Sequence, residues 1–491
     1  MIPAQQRAAA PRRGPGMALA ALLAWSGVAA AAPPASTAPA AAAAAHISTG
    51  RFGTVTVYRP AGEARSVAIF LSGDGGWELG VLDMARALTA AGAVVIGVDI
   101  RAYFGSLRRA AQRPGASCQS VAGDLESLSH QVQKVLGLRE YAVPTLVGYS
   151  SGATVVYAAL AESPPGTFAG ALSLGFCAAQ DFAGASLCPG TGLHYHENTH
   201  HELVLSPSAS LRQPWIALQG QQDQVCPPQA VNEFAGAVAG GEVVSLPHVG
   251  HGFGVERNWL PQFRDAYARL SARPKSTPVA PATIGDLPVE AVPAAGGGSD
   301  MALLLTGDGG WAGLDQELAA ALAARGVPTV ALNSLKYFWT ARTPEETARD
   351  VARLLEHYLA AWGRSRALLI GYSFGADVLP FVVNRLPAEL RARIGSVSLL
   401  GIDAHAAFEV RVAEWAGADG DGPLTPPEVA LLKGVPVLCI YGAGETDSIC
   451  PNLPAGQAVS ERVGTGHHFS GEYAALAERI LSFSHRPRPA T

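Results

Sequence analysis

The chain carries one series of residues, in one order, once in each half. The first half has Gly73-Asp74-Gly75-Gly76-Trp77, then Gly148-Tyr149-Ser150-Ser151-Gly152, then Asp223, then Gly250-His251. The second has Gly307-Asp308-Gly309-Gly310-Trp311, then Gly371-Tyr372-Ser373-Phe374-Gly375, then Asp447, then Gly466-His467. Serine and aspartate stand 73 residues apart in one half and 74 in the other. A length of 491 residues allows two or three domains. The repeat selects two, each long enough to bury its own core.

Apolar runs alternate with helical patterns in both halves. Buried strands are predicted at Val67–Leu71, Val94–Val98, Thr145–Val147, Ala171–Leu174 and Trp215–Leu218. Their counterparts are Ala302–Leu305, Thr329–Leu332, Ala367–Ile370, Val397–Leu400 and Val437–Ile440. Helices are predicted over Leu79–Ala91, Val121–Val135, Thr154–Ala161, Gln316–Arg325, Pro344–Trp362 and Ala376–Leu386. Short, wholly apolar strands between helices indicate mainly parallel sheets covered by helices on both faces. With a G-x-S-x-G elbow between strand and helix, and the order serine, acid, histidine, the fold class is α/β, as two tandem α/β-hydrolase domains. The expected boundaries are 46–271 and 283–485, with a Pro- and Ser-containing linker at 272–282.

The residue types meet the needs of ester cleavage. A serine nucleophile requires a base to take its proton, an acid to orient that base, and donors for the oxyanion. Ser373 and Ser150 are the candidate nucleophiles, with His467 and His251 as bases. Asp223 is the first-half acid. In the second half, counting back from Cys450-Pro451 gives Asp447, whereas counting forward from Gly442 gives Glu445. The serine–acid spacing selects Asp447. The oxyanion donors are expected on the residue after each nucleophile, Ser151 or Phe374, and on the glycine loops, Asp308, Gly309 and Gly310 in the second half. Four residues beyond Ser373 stands Asp377, where the first half has Thr154. It serves either to meet a cationic group or to accept a structural hydrogen bond. This chemistry needs no cofactor.

Residues 1–32 combine Arg7, Arg12 and Arg13 with an apolar run from Met17 to Ala32, the pattern of an export signal. A flexible lead at 33–45 follows. Removing the signal would take the formal charge from −5 to −8. No basic stripe suits nucleic acid. Six cysteines in an exported chain suggest disulfides, with Cys177–Cys188 and Cys118–Cys226 the expected pairs and Cys439 a buried thiol. His194, His196, His200 and His201 cluster in sequence, but nothing like them occurs in the second half, so no metal site is assigned. Tyr103-Phe104 and Tyr337-Phe338 recur at matching places, as do Asp124 and Asp350. These either line the sites or pack a strand-end loop.

The phrases at Thr306–Trp311, Lys336–Trp339, Gly371–Asp377, Tyr441–Cys450 and Gly466–Phe469 resemble the AcvB/VirJ family of bacterial virulence factors. The second half alone is similar to the VirJ form; the signal with both halves is similar to the longer AcvB form. The resemblance implies a periplasmic serine hydrolase that removes the aminoacyl group from lysyl-phosphatidylglycerol at the membrane surface. It implies that the second domain carries the activity, with Ser373 as nucleophile and His467 as base. A broader lipase, esterase or thioesterase is the alternative enzyme. A link to type IV secretion makes secretion-system proteins the expected partners if the fold serves binding.

Overall fold

The computed structural model describes residues 44–114, 118–190, 192–272, 284–411 and 422–486. The expected signal and nearly all of the lead and linker lie outside the described residues.

Eleven strands of the first half are β1 (Ala45–Thr49), β2 (Gly53–Tyr58), β3 (Ser66–Leu71), β4 (Ala93–Val98), β5 (Thr145–Tyr149), β6 (Gly170–Leu174), β7 (Ala179–Gln180), β8 (Tyr195–Glu197), β9 (Leu203–Leu205), β10 (Trp215–Gly220) and β11 (Gly241–Leu246). The second half contributes β12 (Val289–Val292), β13 (Asp300–Leu305), β14 (Thr329–Leu332), β15 (Arg366–Tyr372), β16 (Ile394–Leu400), β17 (Val437–Ala443) and β18 (Val459–Thr465). One sheet runs β1-β2-β4-β3-β5-β6-β10-β11 and the other β12-β14-β13-β15-β16-β17-β18. Pairing from β4 to β11 is parallel, with β1 and β2 antiparallel at the edge. In the second sheet only β12 runs antiparallel.

Both sheets are buried on both faces, which explains why their central strands are apolar without alternation. In the first half Ile69 and Leu71 face one core cluster while Ala68 and Phe70 face another. Leu303 and Leu305, against Ala302 and Leu304, divide the second half in the same way. The strand order places the sites. From β3 the chain moves outward to β4 and then returns to β5 on the other side. The crevice beyond the C-terminal ends of β3 and β5 is therefore a topological switch point, as is that beyond β13 and β15. The glycine loop leaves one strand there and the serine elbow leaves the other.

All ten expected core strands are present. The segment after Asp99 differs from expectation. It is a helix, Ile100–Ala111, whose start is capped by Asp99 accepting the Arg101 N–H at 3.0 Å. Tyr103 donates to Asp124 at 2.9 Å, and Tyr337 donates to Asp350 at 2.6 Å. Both phenols are buried, so these repeated pairs lock helices together. The histidine-rich segment forms part of a small sheet, β7-β9-β8, where His201 pairs with Glu197 at 2.6 Å.

The disulfides correct the expected pairing. Cys118 joins Cys188, Cys177 joins Cys226, and Cys439 joins Cys450. Backbone bonds from Gln119 to Ser186 and from Cys188 to Gln119 lay Cys118 beside Cys188. The ends of adjacent strands β6 and β10 bring Cys177 to Cys226. In the first half nearness in sequence was a poor guide, because these contacts are made by strand ends and long loops. Replacing both Cys177 and Cys226 by Ser should lower stability by about 2–4 kcal/mol. An unchanged denaturation midpoint in the double variant would show that the bridge adds nothing.

Candidate active sites

Each nucleophile sits in a turn that only this local sequence permits. Ser150 has φ 53° and ψ −120°, and Ser373 has φ 51° and ψ −122°. A non-glycine residue there is strained, and the surrounding structure must hold it. A Cβ on Gly152 would lie 2.4 Å from the Leu71 carbonyl oxygen, and one on Gly375 would lie 2.1 Å from that of Leu305. Glycine is thus required two residues after each serine, because the helix start rests on the neighbouring strand. Ser150 N–H donates to Leu174 at 2.9 Å and Ser373 N–H to Leu400 at 2.8 Å. The helices Ser151–Glu162 and Phe374–Asn384 begin at once and aim their positive ends at the serines.

In the first half the relay is closed. Ser150 Oγ is 2.9 Å from His251 Nε2, and His251 Nδ1 is 2.9 Å from Asp223 Oδ2. The other carboxylate oxygen accepts the N–H groups of Val225 and Cys226, each at 2.9 Å. Asp223 is buried and well solvated by donors, so it holds one tautomer of the imidazole. Its closeness to Cys226 and His251 resembles a metal cluster. However, the Cys226 sulfur is bound to Cys177, and the other two groups bond to each other.

In the second half His467 Nδ1 meets Glu445 Oε1 at 2.5 Å. The second carboxylate oxygen accepts the Gly442 N–H. Asp447 instead accepts the Thr446 hydroxyl at 3.0 Å, so the expected assignment of Asp447 is corrected to Glu445. The reason lies in the strand end. A Cβ on Gly220 would meet the Val249 carbonyl at 2.2 Å, and one on Gly442 would meet that of Gly466 at 2.1 Å. These glycines fix where the chain leaves the sheet, and the acid stands three residues on in both halves. The second loop is longer between acid and cysteine, so counting back from Cys450 stops short of Glu445. The site is also more open: the side chain of His467 is 43% exposed, against 18% for His251.

Several contributors were not singled out from sequence. Tyr149 hydroxyl donates to the His251 carbonyl at 3.1 Å, and Tyr372 does so to that of His467 at 3.4 Å. Burial, and then the charge of Asp223, raises the Tyr149 phenol; burial, and then Asp315, holds Tyr372 well above its ordinary value. Both remain donors. Gly175 and Gly401, at positive φ, lie under the two imidazoles, where a Cβ would come within 3.1 Å and 2.7 Å of Cε1. Their signal was present as a glycine after β6 and after β16.

Asp377 accepts the Asp403 N–H at 2.7 Å. Thr154, its counterpart, donates to the Cys177 carbonyl at 2.7 Å. Both tie the elbow helix to the chain leaving the next strand, which is the structural alternative for Asp377.

The glycine loops close the sites. Gly73 and Gly307 lie against the nucleophile carbons, at 3.0 Å and 3.6 Å from an added Cβ. Gly310 has φ +77°, and Gly309 borders a cavity of about 170 Å³ shared with Glu126, Tyr141 and Trp311. Phe374 is packed against Phe338 with ring centroids 5.0 Å apart. Asp308 acts on two groups of the first half. Burial, then Asp308, raises Glu126 to about 8; burial lowers His130 to about 4, with Asp308 opposing.

These two constellations on doubly wound sheets define a tandem protein of the α/β-hydrolase fold. Residues 65–178 and 299–487 match the model of the bacterial virulence protein (VirJ) family, and the chain belongs to that family. No curated protein matches it. Among solved structures it is similar to an α/β serine hydrolase without lid from Xanthomonas campestris, at 22% identity over 49% of this chain and 98% of that one, with TM-score 0.31. An α/β serine hydrolase homologue from Coxiella burnetii is 19% identical over 46% and 96%, with TM-score 0.31. The esterase domain of a Rhodothermus marinus protein is 15% identical over 46% and 97%, with TM-score 0.31.

Two outcomes are expected. With Ser150 replaced by Ala, Glu445→Gln should lower second-half turnover by orders of magnitude, while Asp447→Asn changes it by no more than a few-fold. Comparable losses would return the acid's place to Asp447. Separately, Glu126 keeps its proton to about pH 8 when folded but loses it near the ordinary glutamate value when unfolded. Its contribution to stability therefore falls as pH rises through that window. Glu126→Gln should raise the melting temperature relative to wild type more at pH 8 than at pH 5. The same difference at both pH values would contradict the raised carboxyl.

Proposed function

We propose that the protein is an exported serine hydrolase that cleaves the aminoacyl ester of an aminoacyl-phosphatidylglycerol, the lysyl form above others. The carrying observation is the relay Ser150–His251–Asp223 at 2.9 Å per link, with Ser373, His467 and Glu445 in the same framework. A strained serine, an oriented imidazole and a glycine loop beside the nucleophile are what acyl transfer to serine requires. The serine attacks the ester carbonyl as histidine takes its proton. Histidine then gives that proton to the departing glycerol oxygen. Water, activated by the same base, frees the amino acid and restores the serine.

The second half is assigned the aminoacyl lipid. The family match runs unbroken across its serine, acid and histidine, whereas in the first half it ends before Asp223. The more exposed His467 suits a bulky lipid headgroup. Asp308, in the glycine loop, is the proposed source of negative charge for an ammonium group; Asp377 accepts the Asp403 N–H. The closed relay of the first half favours a second reading for that half, a broader esterase. The periplasm is the proposed compartment, and secretion-system proteins are partners only if the fold serves binding.

The test is release of free amino acid from vesicles containing lysyl- or alanyl-phosphatidylglycerol. Ser373→Ala should abolish about 10³-fold or more of lysyl-lipid turnover, and Ser150→Ala should leave most of it. Loss confined to Ser150→Ala would reverse the assignment of the halves. Full activity in the double variant would remove serine catalysis altogether.

A further inference from the structure

The two glycine loops are held in different ways. In the first half the ties are internal. Ser151 hydroxyl donates to Asp74 at 2.6 Å, the Trp77 indole donates to Tyr58 at 3.3 Å, and Trp77 N–H donates to Asp99 at 3.4 Å. Trp77 is buried edge-on against Phe70, with ring centroids 5.6 Å apart. In the second half Phe374 stands where Ser151 would, and offers no hydroxyl. Asn333 replaces Asp99 and accepts the Lys336 N–H at 3.1 Å instead. Trp311 is only half-buried.

The end of this loop is held instead by Gln316, a residue of the second half, which bridges it to the first. Gln316 Nε2 donates both to the Trp311 carbonyl at 2.8 Å and to the Pro165 carbonyl at 3.1 Å. Gly166, at φ +95°, packs so closely that a Cβ would lie 2.7 Å from the Trp311 oxygen. Pro164 fills the space beside Gly313, within 3.1 Å of an added Cβ. Earlier in the first half, Tyr141 belongs to the second half's core, and Trp339 donates to the Leu138 carbonyl at 2.8 Å. Lys134 reaches Glu409 at 3.0 Å. The segment Pro164–Gly166 is therefore fixed against the second half.

We propose that the second site is completed across the halves: Gln316 and Gly166 are positioning residues that seat the loop Gly307–Trp311, and with it an oxyanion donor, on the first half. The inference rests on the hydrolase reading for its effect on rate, and on geometry alone for the loop. An oxyanion donor acts only if it is held where charge develops, so a loosened loop costs turnover more than substrate binding.

The variants are Gly166→Val and Gln316→Met, the latter similar in length without the donor. Each is made in two full-length backgrounds: Ser150→Ala, where only the second site acts, and Ser373→Ala, where only the first does. With a neutral aryl ester, kcat of the second site should fall about 10- to 100-fold while KM changes by less than about 3-fold. First-site kinetics should not move. Amide hydrogen exchange should quicken in the peptide covering 306–311 and stay unchanged in that covering 72–77. Unchanged exchange at 306–311, or equal quickening of both peptides, overturns the proposal. A wild-type protein that cleaves no ester sinks the hydrolase reading, and the exchange arm still decides the positioning.

Discussion

Everything at both sites depends on one close approach of backbone to backbone. The helix after each serine begins against the last carbonyls of the neighbouring strand, nearer than any side chain allows. Gly152 and Gly375 make that contact, and Gly148 and Gly371 make room beneath it. The contact holds the serine at positive φ. The strain is local, but it is carried by strands buried on both faces, which have no freedom to relieve it. From that fixed point the histidine, its acid and the glycine loop take their places.

The two halves have kept this frame while diverging around it. The first half ties its glycine loop to its own residues and buries its acid fully. The second has Phe374 where the first has a serine and Asn333 where it has an aspartate, and Gln316 bridges its loop to the first half. Support for the second loop thus comes in part from the contact between the halves. The charge distribution follows the same path. Asp74 is matched by a hydroxyl of its own half, while Asp308 bears electrostatically on Glu126 and His130 across the contact.

The sheets were legible because their strands are continuous apolar runs between helical patterns, and the candidate serines and histidines because the same order occurs twice. What was hidden depended on distances that sequence does not carry. Glu445 was an open alternative, and the wrong reference point was chosen. Cys450-Pro451 looks like an anchor, yet the glycine at the strand end sets the acid. Two of the three disulfides join strand ends and loops far apart in the chain. Edge strands such as β1 and β12 escaped because they are short and half-exposed. Gln316 and Gly166 are ordinary residues in sequence, and only the packed halves give them meaning.

The cysteine bridges tie this architecture to redox chemistry. Cys226 closes the turn that presents Asp223, and Cys450 closes the one that presents Glu445. A chain with free thiols lacks the clasp on either acid, however well its sheets have formed. Each clasp forms only where thiols are oxidised. The placing of both acids is thereby tied to the redox state around the chain.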